Sequence, residues 1–358
     1  MSTAAPQMTP EEALAATRET ARAASLALEW IAENPDKVRQ DALRLERDFR
    51  RFGTLSRKLE AALGRPMCVG VFGPSQSGKS YLISALARRG NARVKALFDG
   101  RALDFVSEIN PEGGQESTGI VTRFTTRRRA TPPGLPVALR LLSQTDIVKI
   151  LGNTFLSDFD LSAEEPVSPE RVQAVLGELA GRQAPAPVDS LTEDEVFDLQ
   201  EYFDRYFRGA AMTRGLGQRY WERAAQMAPR LDVADRARLF ALIWNEVEPL
   251  TRVYRRLAGA LQRIGFPDEA FCPIEALVPR ETSIIDVQTL RHLAAADGPE
   301  LDIVAPDGRR ARLLRAEITA LIAELTITLD ERPWPFFDHT DLLDFPGARS
   351  REVIPDPA

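Results

Sequence analysis

Cysteine and histidine are scarce in this chain, with two of each among 358 residues. Cys68 and Cys272 cannot build a disulfide framework, and two histidines leave little for a zinc site. Both thiols read as packing residues of a reducing compartment. A surplus of positive charge is missing too. The 46 basic residues face 52 acidic ones, a net charge of −6. That balance argues against a general nucleic-acid coat and leaves room only for a local basic patch. No apolar run approaches the roughly 18–20 residues a membrane span needs. Residues 1–9 lack a positive stretch followed by an apolar one, so no secretory signal is read there. The expectation is a cytoplasmic protein without a nucleic-acid partner, with peripheral membrane contact left open. What is present is ordinary for a packed protein: 44% apolar and 27% charged residues. The length suits two or three domains, or one domain with a large insertion.

The first helix signal is Thr9-Pro10-Glu11-Glu12. Thr9 caps, Pro10 takes the first helical position, and Glu12 reaches back to the cap. This helix is expected to reach about Ala32, where Asn34-Pro35-Asp36 breaks it. In a second helix, Val38, Ala42, Leu45, Phe49, Phe52, Leu59 and Leu63 form one apolar stripe. The pair reads as an antiparallel hairpin. Lys37, Arg39, Arg44, Arg47, Arg50, Arg51, Arg57 and Lys58 crowd the second helix and read as a solvated face. A lipid- or partner-binding surface is the sharper alternative.

Residues 67–72 are a short apolar run suited to a buried strand, 73–80 a glycine-bounded loop, and 81–88 a helix. Residues 90–119 read mainly as loop. The stretches 120–127 and 137–142, around the turn at 131–136, look like two paired strands. Helices are expected at 144–156, near 168–181 and through 192–265, with Pro249 interrupting the helix that begins at Asp232. The aromatic stripe there reads as helix-packing core. A hairpin at 301–315 precedes a helix through Glu317, Leu321 and Leu325, and a strand ends at Asp344-Phe345.

Gly73-Pro74-Ser75-Gln76-Ser77-Gly78-Lys79-Ser80 fits G-x-x-x-x-G-K-S. Glycines let the backbone wrap closely around phosphate oxygens, and the amides opening the next helix, through Tyr81, point at the negative charge. Lys79 can span the β- and γ-phosphates, and the Ser80 hydroxyl can ligate Mg²⁺. Asp344-Phe345-Pro346-Gly347 ends an apolar strand. There Asp344 suits the carboxylate that holds the magnesium's water shell, and the Gly347 amide suits the γ-phosphate. In Gln115-Glu116-Ser117-Thr118-Gly119, Thr118 is the candidate to complete magnesium coordination and sense the γ-phosphate, with Ser117 as competitor.

These runs, Val69–Ser80, Ser117–Phe124 and Thr340–Arg351, resemble the SrfC-type bacterial virulence-factor family, which in turn resembles the dynamin-like large GTPases. The resemblance implies an α/β P-loop NTPase: a dynamin-like G domain, incomplete here, with an N-terminal helical hairpin and a large, mostly helical insertion. The implied parts are a hairpin at 1–64, belonging to a stalk or bundle; the first part of the G domain at 65–156; the insertion at 157–300; and the returning hairpin, helix and strand at 301–358. It implies GTP (or ATP) and Mg²⁺ as ligands, slow hydrolysis, and a protein partner or self-association. Lys79, Thr118 and Gly347 would serve hydrolysis; residues 73–81 would hold the nucleotide; Ser80, Thr118 and Asp344 would hold the metal. Two departures stand out. Dynamins carry a polar catalytic residue, usually Gln, where this chain has Ser75 beside Gln76, and no [TN]-K-x-D guanine reader follows Gly347. The sheet is therefore expected to be incomplete with an exposed edge, as in the N-terminal part of a longer protein or a natural truncation. A nucleotide-binding or catalytically dead scaffold and a P-loop ATPase are the competing readings.

Overall fold

A computed structural model describes residues 8–73, 78–110, 120–159, 161, 165–207, 210–279, 283–286, 289–290, 292–295 and 297–346, with backbone only at 80 and 211–215. The chain begins with α1 (Pro10–Glu33), the short α2 (Pro35–Val38) and α3 (Ala42–Leu63). The Thr9 and Glu12 side chains cap one another's amides as the sequence signal requires. Helices α1 and α3 pack as an antiparallel hairpin along small residues: a Cβ at Gly53 would lie 3.8 Å from the Ala24 Cβ.

Strand β1 (Met67–Val71) follows, then α4 (Lys79–Leu86). Residues 90–110, expected as loop, instead hold a hairpin of β2 (Lys95–Phe98) and β3 (Arg101–Asp104) and a helical turn at 105–109. Asp99 and Gly100, at φ 48° and 79°, make the two-residue turn that suits strand twist. After β4 (Val121–Thr125) and β5 (Val137–Leu141) comes a run of helices: α5 (Gln144–Asp158), α6 (Pro169–Ala180), α7 (Glu193–Tyr206), α8 (Ala211–Met227), α9 (Val233–Ala241) and α10 (Glu248–Arg263). The break before α10 comes at Asn245 and Glu246, at φ 53° and 57°, and Pro249 sits in the first turn of the new helix. The chain closes with β6 (Glu269–Cys272), α11 (His292–Ala295), β7 (Glu300–Val304), β8 (Arg310–Leu314), α12 (Arg315–Leu321), β9 (Ile322–Thr328) and β10 (Thr340–Asp344).

Eight strands form one sheet in the order β1-β10-β4-β9-β5-β6-β7-β8. Strands β1 and β10 are parallel, as are β4 and β9; the other neighbours are antiparallel. Two expectations are corrected. Strands β4 and β5 do not pair, because β9 lies between them. The helix expected through Leu325 ends at Leu321, and Ile322–Thr328 is a central strand. Apolar and polar residues alternate along its second half, so Leu325 and Ile327 are fully buried while Thr326 and Thr328 face the other side.

The main core joins Phe124, Leu139, Leu325, Ile327 and Leu342 on one sheet face to Ile83 of α4 and the apolar stripes of α5–α10. The opposite face carries a charge network. Arg123 forks onto Glu324 at 2.6 and 3.0 Å and reaches Asp341 at 3.1 Å, and Arg127 meets Asp341 at 3.0 Å. Burial alone would lower the Arg123 pKa; hydrogen bonds and attraction from Glu324 and Asp341 raise it instead. The fork spans β9, β4 and β10 and fixes their register.

The basic residues of α3 lie on a solvated face, as read, but four of them also reach acids of a neighbouring helix. Arg50 pairs with Glu193 and Asp194, Arg51 with Glu201, Arg57 with Asp194, and Lys58 with Asp198, all acids of α7. The hairpin thereby docks on the helical body through opposite charge.

Candidate functional site

Strand β1 and strand β10 run side by side in the same direction, and the last rung of their ladder sets Val71 opposite Asp344. Both chains therefore leave the sheet at the same end. Asp344 is 5% exposed, and strand alternation turns it toward the face that carries Leu342 and α4. Its register is held from the opposite face, where the Arg123 fork grips Asp341 one strand-turn upstream.

From β1 the chain passes through Gly73 to Gly78 and enters α4 directly. Gly78 is left-handed, at φ 83° and ψ 14°, and caps α4 without a side-chain bond. The Lys79 ammonium turns back and donates to the Gly73 carbonyl at 3.0 Å, closing the loop's two ends on each other. Tyr81 is 65% exposed, one turn into the helix. The structure thus joins Lys79 to Gly73, two residues past the rung that sets Val71 opposite Asp344. Pro74, Ser75, Gln76, Ser77, Thr118 and Gly347 lie outside the described residues, as does the Ser80 side chain.

One feature of this end of the sheet carried no sequence signal strong enough to single it out. The Phe72 and Phe345 rings stack at 4.0 Å between centroids and 22° between planes. Among the described residues, no group of three or more His, Cys, Asp or Glu side chains is arranged to hold a metal.

The far side of β1 is open at its start. Met67 is 72% and Val69 52% exposed, so the expected buried strand is an edge strand, with no further strand beside it among the described residues. No helix among the described residues is long and apolar enough to cross a membrane.

No curated protein matches the chain. Residues 27–356, from the last turns of α1 through the sheet and the helical body, fit the family described as "Putative bacterial virulence factor", and the chain belongs to that family.

Proposed function

We propose that the chain binds a nucleoside triphosphate with Mg²⁺ between the 73–80 loop and Asp344, and acts as a nucleotide-dependent switch of the dynamin-like GTPase kind. The observation that supports this most is the parallel β1–β10 pairing, in which the strand that leads to Gly73 ends opposite the buried Asp344. A glycine-bounded loop and an uncapped helix N-terminus offer backbone amides to phosphate oxygens. Lys79 exchanges the Gly73 carbonyl for a β- or γ-phosphate oxygen, a short swing for a flexible ammonium. Asp344, Ser80 and Thr118 are the residues that would hold the ion, which neutralises phosphate charge when bound. Thr118 and Gly347 would orient the attacking water. Each role is electrostatic positioning, and no covalent step falls to the protein.

Calorimetry with Mg·GTP and Mg·ATP tests the reading. Wild type is expected to bind, and Lys79→Ala to weaken binding by roughly 10–100-fold, the worth of a hydrogen bond to a charged group. No binding of either nucleotide ends the switch reading. A nucleotide-binding or catalytically dead helical scaffold is the second reading. Ser75 in the catalytic position favours it, and so do the half-exposed Phe52, Leu55 and Leu59 along α3. Binding without turnover would select it. Preference for ATP would select the ATPase.

A further inference from the structure

The ladder between β1 and β10 ends at Val71 and Asp344. Just past it, where backbone pairing has stopped, the two chains stay together through the Phe72–Phe345 stack. The stack lies on the sheet face opposite Asp344, over Gly70. A Cβ at Gly70 would come within 2.7 Å of one Phe345 ring carbon and 3.0 Å of a Phe72 ring carbon. Only a residue without a side chain lets both rings settle on the strand. Phe72 remains 72% exposed, so the pair is not ordinary core. Apolar surface this open gives little burial in return, and the contact that remains is ring on ring.

The position of the stack gives it leverage. Phe72 immediately precedes Gly73, the start of the loop that Lys79 closes. Phe345 immediately follows Asp344 and leads toward Pro346 and Gly347. We infer that Phe72 and Phe345 are positioning residues, an aromatic clasp that fixes the spacing between the phosphate loop and the Asp344 strand end and so sets nucleotide affinity. This rests on the nucleotide reading above. The rings touch neither phosphate nor ion. They act through Gly73 on one side and Asp344 on the other. Opening the clasp frees the two strand ends to splay, and a bound triphosphate then has to restore the spacing at its own expense.

The test is Mg·GTP and Mg·ATP affinity by calorimetry on Phe72→Leu, Phe345→Leu, the double variant, Phe345→Tyr and Gly70→Ala, with urea unfolding run alongside. An aromatic pair of this kind corresponds to about two- to tenfold in affinity. Each leucine variant is expected to lose that much, the double variant no more than either single one, and Phe345→Tyr almost nothing. Gly70→Ala keeps both rings but displaces them, and is expected to match the leucine variants. It also serves should a leucine variant not fold. Two outcomes overturn the clasp while the nucleotide reading stands: wild-type affinity in the leucine and Gly70→Ala variants, with only the urea midpoint lowered, or losses that simply add in the double variant. Absence of nucleotide binding by the wild type overturns both.

Discussion

The helical body and the N-terminal hairpin are both built from amphipathic helices, yet they are held by opposite means. In the body, α5–α10 bury Trp244, Tyr220, Tyr254, Phe203 and Phe240 almost completely. Rings meet rings, as where Phe203 stacks on Trp221 with centroids 6.0 Å apart. Its enclosed charge is largely tied in: Arg236, wholly buried, reaches Asp189, Gln144 and the Ala228 carbonyl, although its Nη2 has no hydrogen-bond partner. The hairpin buries little beyond Ala24, Ile31 and Val38. It meets the body through ion pairs on α7 and one Arg50–Phe197 contact. The difference teaches which part is rigid. Apolar burial is indifferent to salt and scales with area, whereas exposed ion pairs are weak and screened.

Three perturbations break or sharpen that contrast. The largest falls in the body. Phe203→Ala is expected to cost about 3–5 kcal/mol in urea unfolding, because it removes the ring that Trp221, Tyr202 and Phe207 pack against. Gly152 is the complement of this ring, with a would-be Cβ only 2.5 Å from Phe203. Loss of well under 2 kcal/mol would mean that the body is loosely packed.

The second perturbation is electrostatic. Glu193→Ala with Asp194→Ala, which removes acids that pair with α3, is expected to raise amide exchange along α1 and α3 and leave the body's exchange unchanged. The docking lost is on the order of 2 kcal/mol for several partly exposed pairs, and high salt should mimic it. Acid should do the same. Burial alone would raise the Asp198 pKa, but hydrogen bonds from Lys58 and Lys149 outweigh it and hold the carboxyl below its ordinary value. A lowered folded value makes its contribution full above about pH 4 and lost as pH falls through that lowered value. Hairpin exchange that ignores both salt and acid would break the comparison. The smallest effect is Thr9→Ala, expected to cost about 1 kcal/mol and to fray only the first turn of α1.

Much of this fold was legible in the residues. The capping signal at Thr9 marks a real helix start, and the strand ending at Asp344 lies where the apolar run puts it. Local chemistry is enough for such features. Pairing across the chain is not: nothing near residues 120–142 reveals that a strand from 322–328 inserts between them. The Asp99-Gly100 turn is written in the residues, but the charge and glycine around it suggest loop. On the candidate site, the glycine-and-lysine spacing was readable, since it belongs to one short segment. The Phe72–Phe345 stack was not, because it depends on two distant strands becoming neighbours. The basic stripe of α3 was readable as charge, but its partner lay in another helix.

The β1–β10 rung joins residue 71 to residue 344, a separation of 273 positions (344 − 71). At about 5–20 residues per second, a ribosome needs on the order of 14–55 s to supply the second strand after the first. Throughout that interval Met67 and Val69 belong to a strand with no neighbour on either side, and such strands are what aggregation recruits. Strand β1 is therefore made well before the strand that pairs with it, which leaves a newborn chain dependent on whatever shields it in the meantime.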